Sequence, residues 1–197
     1  MSPRAESTLG RFRNVVRVVL VGDSQLTDAS SRGTTKLGPR LRRRGHEVET
    51  LAVGGLDTRT ALKCAHVSAP ADWTIFCFGA NDAAPWKQVP LAEFATNYEA
   101  LVRRATSRQT LVLGPGPVHE SGATRSRTNR ELARYSAIAA DVARRCRTEF
   151  ISLLDALGSG DLADDGVHLN DRGYDVLERL VVAAMVPTPG LSTNDAQ

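Results

Sequence analysis

The run Val15–Val21, VVRVVLV, is followed at once by Gly22, Asp23 and Ser24. A short β-branched run closed by a glycine turn predicts a strand. Four further runs have the same character: HEVETLAV at His46–Val53, DWTIFCF at Asp72–Phe78, QTLVLG at Gln109–Gly114 and TEFISL at Thr148–Leu153. Helical patterns separate them, near Ser31–Arg44, Asp57–His66, Leu91–Ser107 and Thr128–Arg145, and a last one runs near Asn170–Met185. Leu91, Phe94, Tyr98 and Leu101 recur at helical spacing, as do Val176, Leu177, Leu180 and Val181, so both stripes are expected to face a core. Strands alternating with helices predict an α/β fold with a doubly wound, five-stranded parallel sheet. Ligands of such a sheet bind outside the carboxyl ends of its strands.

The rest of the composition narrows the function. The chain has 197 residues with 42% apolar content, which fits one domain over 15–186 with flexible ends at 1–14 and 187–197. Cys64, Cys77 and Cys146 are too few and too scattered for a disulfide framework or a zinc site, and Cys77 sits in an apolar strand as an expected core thiol. The run Val15–Val21 contains Arg17 and no small-residue cleavage pattern follows it, and no stretch reaches the roughly 18 apolar residues of a membrane span. A cytoplasmic protein without a membrane partner is expected. The net charge of +3 comes from arginines interleaved with 22 acidic residues, which predicts solvated helical faces and no nucleic-acid partner. Phosphate-loop and dinucleotide glycine motifs are missing, and Leu26 stands where a G-x-S-x-G elbow needs glycine.

The turns that close the strands carry the chemistry. The first strand ends in Gly22-Asp23-Ser24, the second in Gly54-Gly55 and the third in Gly79-Ala80-Asn81-Asp82, and Asp165-Gly166-Val167-His168 comes after the fifth. Each block alone is ordinary: Asp23 and Ser24 suit a helix N-cap, and GAND or Asp165-Gly166 suits a turn. Together they gather at one sheet edge a hydroxyl, a carboxylate, an imidazole and amide donors, which acyl transfer through a covalent intermediate requires. A serine hydroxyl needs a neutral imidazole to take its proton, and His168 is the candidate base. Asp165, three residues earlier, is placed to fix its tautomer, with Asp164 the neighbouring alternative. The Ser24 and Gly55 N–H groups and the Asn81 side-chain amide are candidate oxyanion donors, with Gly54 the alternative to Gly55. His46, His66 and His119 have no carboxylate at this spacing and are expected to be structural or solvent-facing.

GDS at 22–24, GG at 54–55, GAND at 79–82 and DGVHLN at 165–170, in that order, resemble the sequence blocks of the SGNH hydrolases, the GDSL esterase/lipase superfamily. The resemblance spans roughly Val15–Val182. It implies a three-layer, flavodoxin-like fold with Ser24 as nucleophile, Gly55 and Asn81 in the oxyanion hole, and Asp165 and His168 completing a triad. It further implies a small-molecule ester substrate and neither metal nor organic cofactor. Two departures stand out: Gln25 replaces the leucine common after GDS, which is expected to alter packing beneath the nucleophile, and GGLDT has one more residue before its threonine than usual.

The loops Ala83–Pro90, with Trp86, and Pro115–Arg127 are the expected pocket walls, short enough to favour acetyl or other short acyl esters. Asp23, Trp86 and Arg125 are the candidate substrate-binding residues, and Arg125, Arg127 and Arg130 would meet an anionic or carbohydrate substrate at the rim. The same triad would serve an acyltransferase, in which a hydroxyl replaces water. A reading from another class is a flavodoxin-like flavin-binding protein whose first loop, rich in Ser and Thr, holds a phosphate; it leaves DGVHLN without a task.

Overall fold

The structure, a computed structural model, describes residues 15–29, 33–64, 70–120 and 127–186. Among these residues the chain forms strands β1 (Arg17–Gly22), β2 (Glu47–Thr50), β3 (Trp73–Cys77), β4 (Gln109–Leu113) and β5 (Glu149–Ile151). Its helices are α1 (Leu37–Arg43), α2 (Thr58–Cys64), α3 (Leu91–Arg103), α4 (Asn129–Cys146), α5 (Leu153–Ala156) and α6 (Asp171–Met185). The strands are all parallel, in the order β2-β1-β3-β4-β5. The chain goes to one side of β1 for β2 and to the other for β3, so connections leave the carboxyl ends of β1 and β3 in opposite directions and open a crevice there.

Period-two alternation sends the side chains of each strand into two cores. Val19, Val21, Phe76 and Val112 pack with Phe94, Tyr98 and Leu101 of α3 and with Leu132, Tyr135 and Val142 of α4. Val18, Leu20, Ile75, Cys77, Leu111 and Leu113 pack on the opposite face with Leu37 and Leu41 of α1 and Tyr174, Leu177 and Val181 of α6. This is the α/β, three-layer, doubly wound arrangement expected from the sequence. Gly22 is required where β1 meets β3, because a Cβ there would lie 2.5 Å from the Cys77 carbonyl oxygen.

The differences from expectation are local. α1 starts at Leu37, after Gly33 with φ +78 and an extended Lys36, and not near Ser31. α5 and a 3-10 turn at Ser159–Asp161 are each only one turn long and carry no readable period. The Arg40–Arg44 cluster is not a solvated face throughout: Arg40 is buried and pairs with Asp171, Asp175 and Glu178 of α6. These pairs tie α1 to α6 across the second core. The expected flexible ends, Ser30, Ser31, His66 and Arg125 lie outside the described residues.

Candidate active site

The turn after β1 carries Ser24. Asp23 Oδ1 accepts the Gln25 N–H at 3.0 Å, and the Leu26 N–H returns to the Asp23 carbonyl at 3.1 Å, so the chain doubles back around Ser24. The Ser24 carbonyl accepts from Thr27 Oγ1 at 3.1 Å and Lys36 Nζ at 3.1 Å, and Lys36 also donates to Tyr174 Oη at 2.9 Å. The Tyr174 hydroxyl in turn donates to the Gln25 carbonyl at 2.9 Å. Lys36 and Tyr174 are both buried, and together they brace the turn from beneath.

The second half of the site precedes α6. Gly166, at φ +68, reverses the chain between Asp165 and His168, and the Ala163 N–H closes the loop on the His168 carbonyl at 2.7 Å. Asn170 caps α6 by accepting the Gly173 N–H at 3.0 Å. Asp165 Oδ1 accepts the Val167 and His168 N–H groups, each at 3.0 Å, and its Oδ2 lies 2.8 Å from His168 Nδ1. His168 Nε2 lies 3.0 Å from Ser24 Oγ.

Partial burial would raise Asp165, but hydrogen bonds from the His168 backbone and ring and from the Val167 N–H overcome it and hold the carboxyl at about 2. An ionised carboxylate only accepts, so the proton on this side of the imidazole resides on Nδ1 and Nε2 is the acceptor of the serine hydroxyl. Ser24, His168 and Asp165 therefore form one continuous hydrogen-bond chain.

The loops after β2 and β3 converge on the same edge. Asp82 accepts the Thr58 N–H at 2.9 Å, the Thr58 hydroxyl at 2.5 Å and the Gly79 N–H at 3.2 Å. Lys87 Nζ donates to the Gly55 carbonyl at 3.1 Å and to Asp57 at 2.6 Å. Gly79 takes φ +118 against the Pro115 ring, a backbone position that suits only glycine. Asn81 Nδ2 donates to Asp23 Oδ2 at 3.1 Å and to the Leu56 carbonyl at 3.2 Å, which engages both amide protons. Among the described residues the Ser24 and Gly55 N–H groups meet no acceptor. Gly55 takes φ +75 and, like Gly54, is exposed.

A sequence profile of the GDSL-like Lipase/Acylhydrolase family matches residues 20–176, which spans all four blocks. The chain belongs to this family. It is accordingly an enzyme of the ester-acting acylhydrolase class, and that membership sets aside the flavin-binding alternative. Similar curated relatives include the human isoamyl acetate-hydrolyzing esterase 1 homolog, 27% identical over 82% of this chain and 77% of its own. The rat protein of the same name is 29% identical over 82% and 78%. Among solved structures, a lipase/acylhydrolase from Enterococcus faecalis superposes at TM-score 0.74 with 22% identity over 90% of this chain and 100% of its own. An acetylxylan esterase from Geobacillus stearothermophilus superposes at 0.66 with 17% identity over 88% and 95%. Both likenesses are of the GDSL fold.

Within this GDSL framework the candidate residues take definite places. Ser24, Asp165, His168 and Asn81 meet at the sheet edge, with Gly55 on the adjoining loop. Asp23, expected on the substrate's side, is 2% exposed and both its oxygens accept from protein groups, so it supports the Gln25 turn and Asn81. Burial raises its carboxyl to about 6, against the opposing Gln25 bond. Trp86 is 64% exposed and lies under the Arg127 guanidinium, 4.7 Å from ring centre to Cζ. His119 is structural, its N–H on the Gly166 carbonyl at 2.8 Å and its ring against the Ser159 carbonyl at 3.0 Å. Sequence reading missed the Lys36–Tyr174 brace and the attachment of Arg127 to the Ala80–Asn81 loop. Nothing local marks Lys36, whereas Arg127 stood among the rim arginines.

Proposed function

We propose that the protein is a serine esterase that hydrolyses small or short-chain acyl esters through a Ser24-His168-Asp165 triad and an acyl-enzyme. The observation that carries this reading is the hydrogen-bond chain from Ser24 Oγ through His168 to Asp165, at 3.0 and 2.8 Å. The curated relatives, named as homologs of isoamyl acetate-hydrolyzing esterase 1, support the short acyl group.

Ser24 Oγ attacks the ester carbonyl carbon as its proton passes to His168 Nε2, and the carbonyl π electrons move onto oxygen. The Ser24 and Gly55 N–H groups stabilise that oxyanion, as does an Asn81 amide proton drawn from its 3.2 Å bond to the Leu56 carbonyl. Gly55 is favoured over Gly54 because Lys87 fixes its carbonyl. Collapse of the tetrahedral species breaks the bond to the alcohol oxygen, which takes the proton from His168. Water then gives a proton to the same nitrogen and attacks the acyl carbon, and Ser24 Oγ leaves with that proton, releasing the carboxylic acid. Asp165 stays ionised throughout and stabilises the imidazolium.

The test is release of 4-nitrophenol from the acetate and octanoate esters. Ser24→Ala, His168→Ala and Asp165→Asn are each expected to lower kcat by a factor on the order of 10⁴ with the fold retained. A fluorophosphonate is expected to add its mass to Ser24 alone. Wild-type turnover by Ser24→Ala would overturn the mechanism, and a rate on octanoate well above that on acetate would overturn the short acyl specificity.

A further inference from the structure

Arg127, half-buried beside the site, bonds to no carboxylate among the described residues. Its Nε donates to the Ala80 carbonyl at 2.9 Å and its Nη2 to Asn81 Oδ1 at 3.3 Å, so it grips the loop that carries the candidate oxyanion amide. A guanidinium has five N–H donors. Two are used; the other three, including both on Nη1, meet no acceptor among the described residues. Arg40, the other deeply set arginine, is surrounded by three carboxylates.

Nearby acids do not fill this role. Asp23 bonds to Gln25 and Asn81, Glu120 accepts the Asn129 N–H, and Glu131 pairs with Arg134. The adjoining segment 121–126 contains no acid. One face of the guanidinium lies on the ring of Trp86, a residue that is 64% exposed. A planar cation backed by an aromatic ring and held by one edge suits bidentate binding of a carboxylate.

We propose that Arg127 on Trp86 forms a subsite for a carboxylate carried by the ester substrate, so that the preferred substrates are anionic esters. The subsite rests on the esterase reading, because it orients an ester toward Ser24. The carboxylate belongs either to the acyl or to the alcohol moiety, and matched pairs separate the two. On the alcohol side, 4-acetoxybenzoate is compared with its neutral isostere 4-acetoxybenzamide. On the acyl side, monoethyl glutarate is compared with ethyl glutaramate.

The wild type is expected to favour the carboxylate in one pair by about tenfold in kcat/KM, a factor worth about 1.4 kcal/mol, mainly through KM. Arg127→Gln is expected to bring that ratio to near one, while Arg127→Lys keeps part of it. Any loss from the released Asn81 amide falls on both members of a pair and cancels. Wild-type ratios near or below one in both pairs overturn the subsite without requiring any variant to fold, and so does a ratio that survives in Arg127→Gln. Failure of the esterase reading looks different: neither pair nor 4-nitrophenyl acetate is hydrolysed, and the subsite falls with it.

Discussion

Gln25 reaches across the site to Val167: its Nε2 donates to the Val167 carbonyl at 3.0 Å, joining the turn that holds Ser24 to the residue just before His168. The side chain is buried, and its own N–H is fixed by Asp23. The departure from the usual GDSL block thus replaces apolar packing with a strut between the two halves of the site. Gln25→Leu removes it and leaves the Val167 carbonyl without that donor, at a cost of about 1–3 kcal/mol in stability. With 4-nitrophenyl acetate, kcat is expected to fall about fivefold, within the tenfold that 1.4 kcal/mol would give, at unchanged KM. An unaltered kcat would show that the strut does not hold the hydroxyl to its base.

Lys36 stands behind the Ser24 turn and, among the described residues, bonds to no carboxylate. Burial lowers its pKa, and the charges of Asp23 and Asp165 work against that fall. Lys36→Met keeps the length of the side chain and removes its hydrogen bonds to the Ser24 carbonyl and the Tyr174 hydroxyl. Stopped assays are expected to give a kcat about tenfold lower, the effect of about 1.4 kcal/mol, with KM unchanged because the ammonium lies on the protein side of the turn. A change confined to KM would assign Lys36 to substrate binding instead.

Asp23 makes stability depend on pH in the direction opposite to an ordinary surface carboxylate. Its folded pKa, about 6, lies above the unfolded value. The folded chain therefore keeps a proton that the unfolded chain releases, and this contribution is complete at low pH and lost as pH rises from about 4 to about 6. Two units correspond to a change on the order of 3 kcal/mol. Asp23→Asn abolishes the titration, so urea unfolding between pH 4.5 and 7.5 should shift in favour of the variant as pH rises and then run parallel to wild type. Parallel curves across the whole range would mean that Asp23 does not titrate there. Asp82, also raised to about 6 by burial, acts in the same direction in both proteins.

Periodicity located the strands and the longer helices most directly where apolar residues recur as a stripe on a buried face, as in β1, α3 and α4. Runs such as VVRVVLV and the Phe94–Tyr98–Leu101 spacing of α3 state that stripe within a few residues. Three of the site blocks were legible for a related reason, since Gly22–Ser24, Gly54–Gly55 and Gly79–Asp82 sit where the chain leaves a strand and needs glycine to turn, whereas Asp165–His168 lies past α5, just before α6. What stayed hidden depends on partners distant in sequence. Lys36 and Tyr174 are 138 residues apart and meet only when α6 docks on the sheet. Arg40 looked like part of a charged helical face until its three carboxylates on α6 faced it. Asp23 adjoins Ser24 in sequence yet points beneath it, and a one-dimensional string does not record that direction.

The bond between His168 and Ser24 joins residues 144 positions apart. Under the proposed triad, a growing chain carries an inert hydroxyl for most of its synthesis, and hydrolytic power arrives only when the segment before α6 closes on the first turn. If His168 is that base, ester cleavage becomes a readout of completed folding: truncation before residue 168 is expected to abolish it, and activity regained on refolding would date the docking of α6.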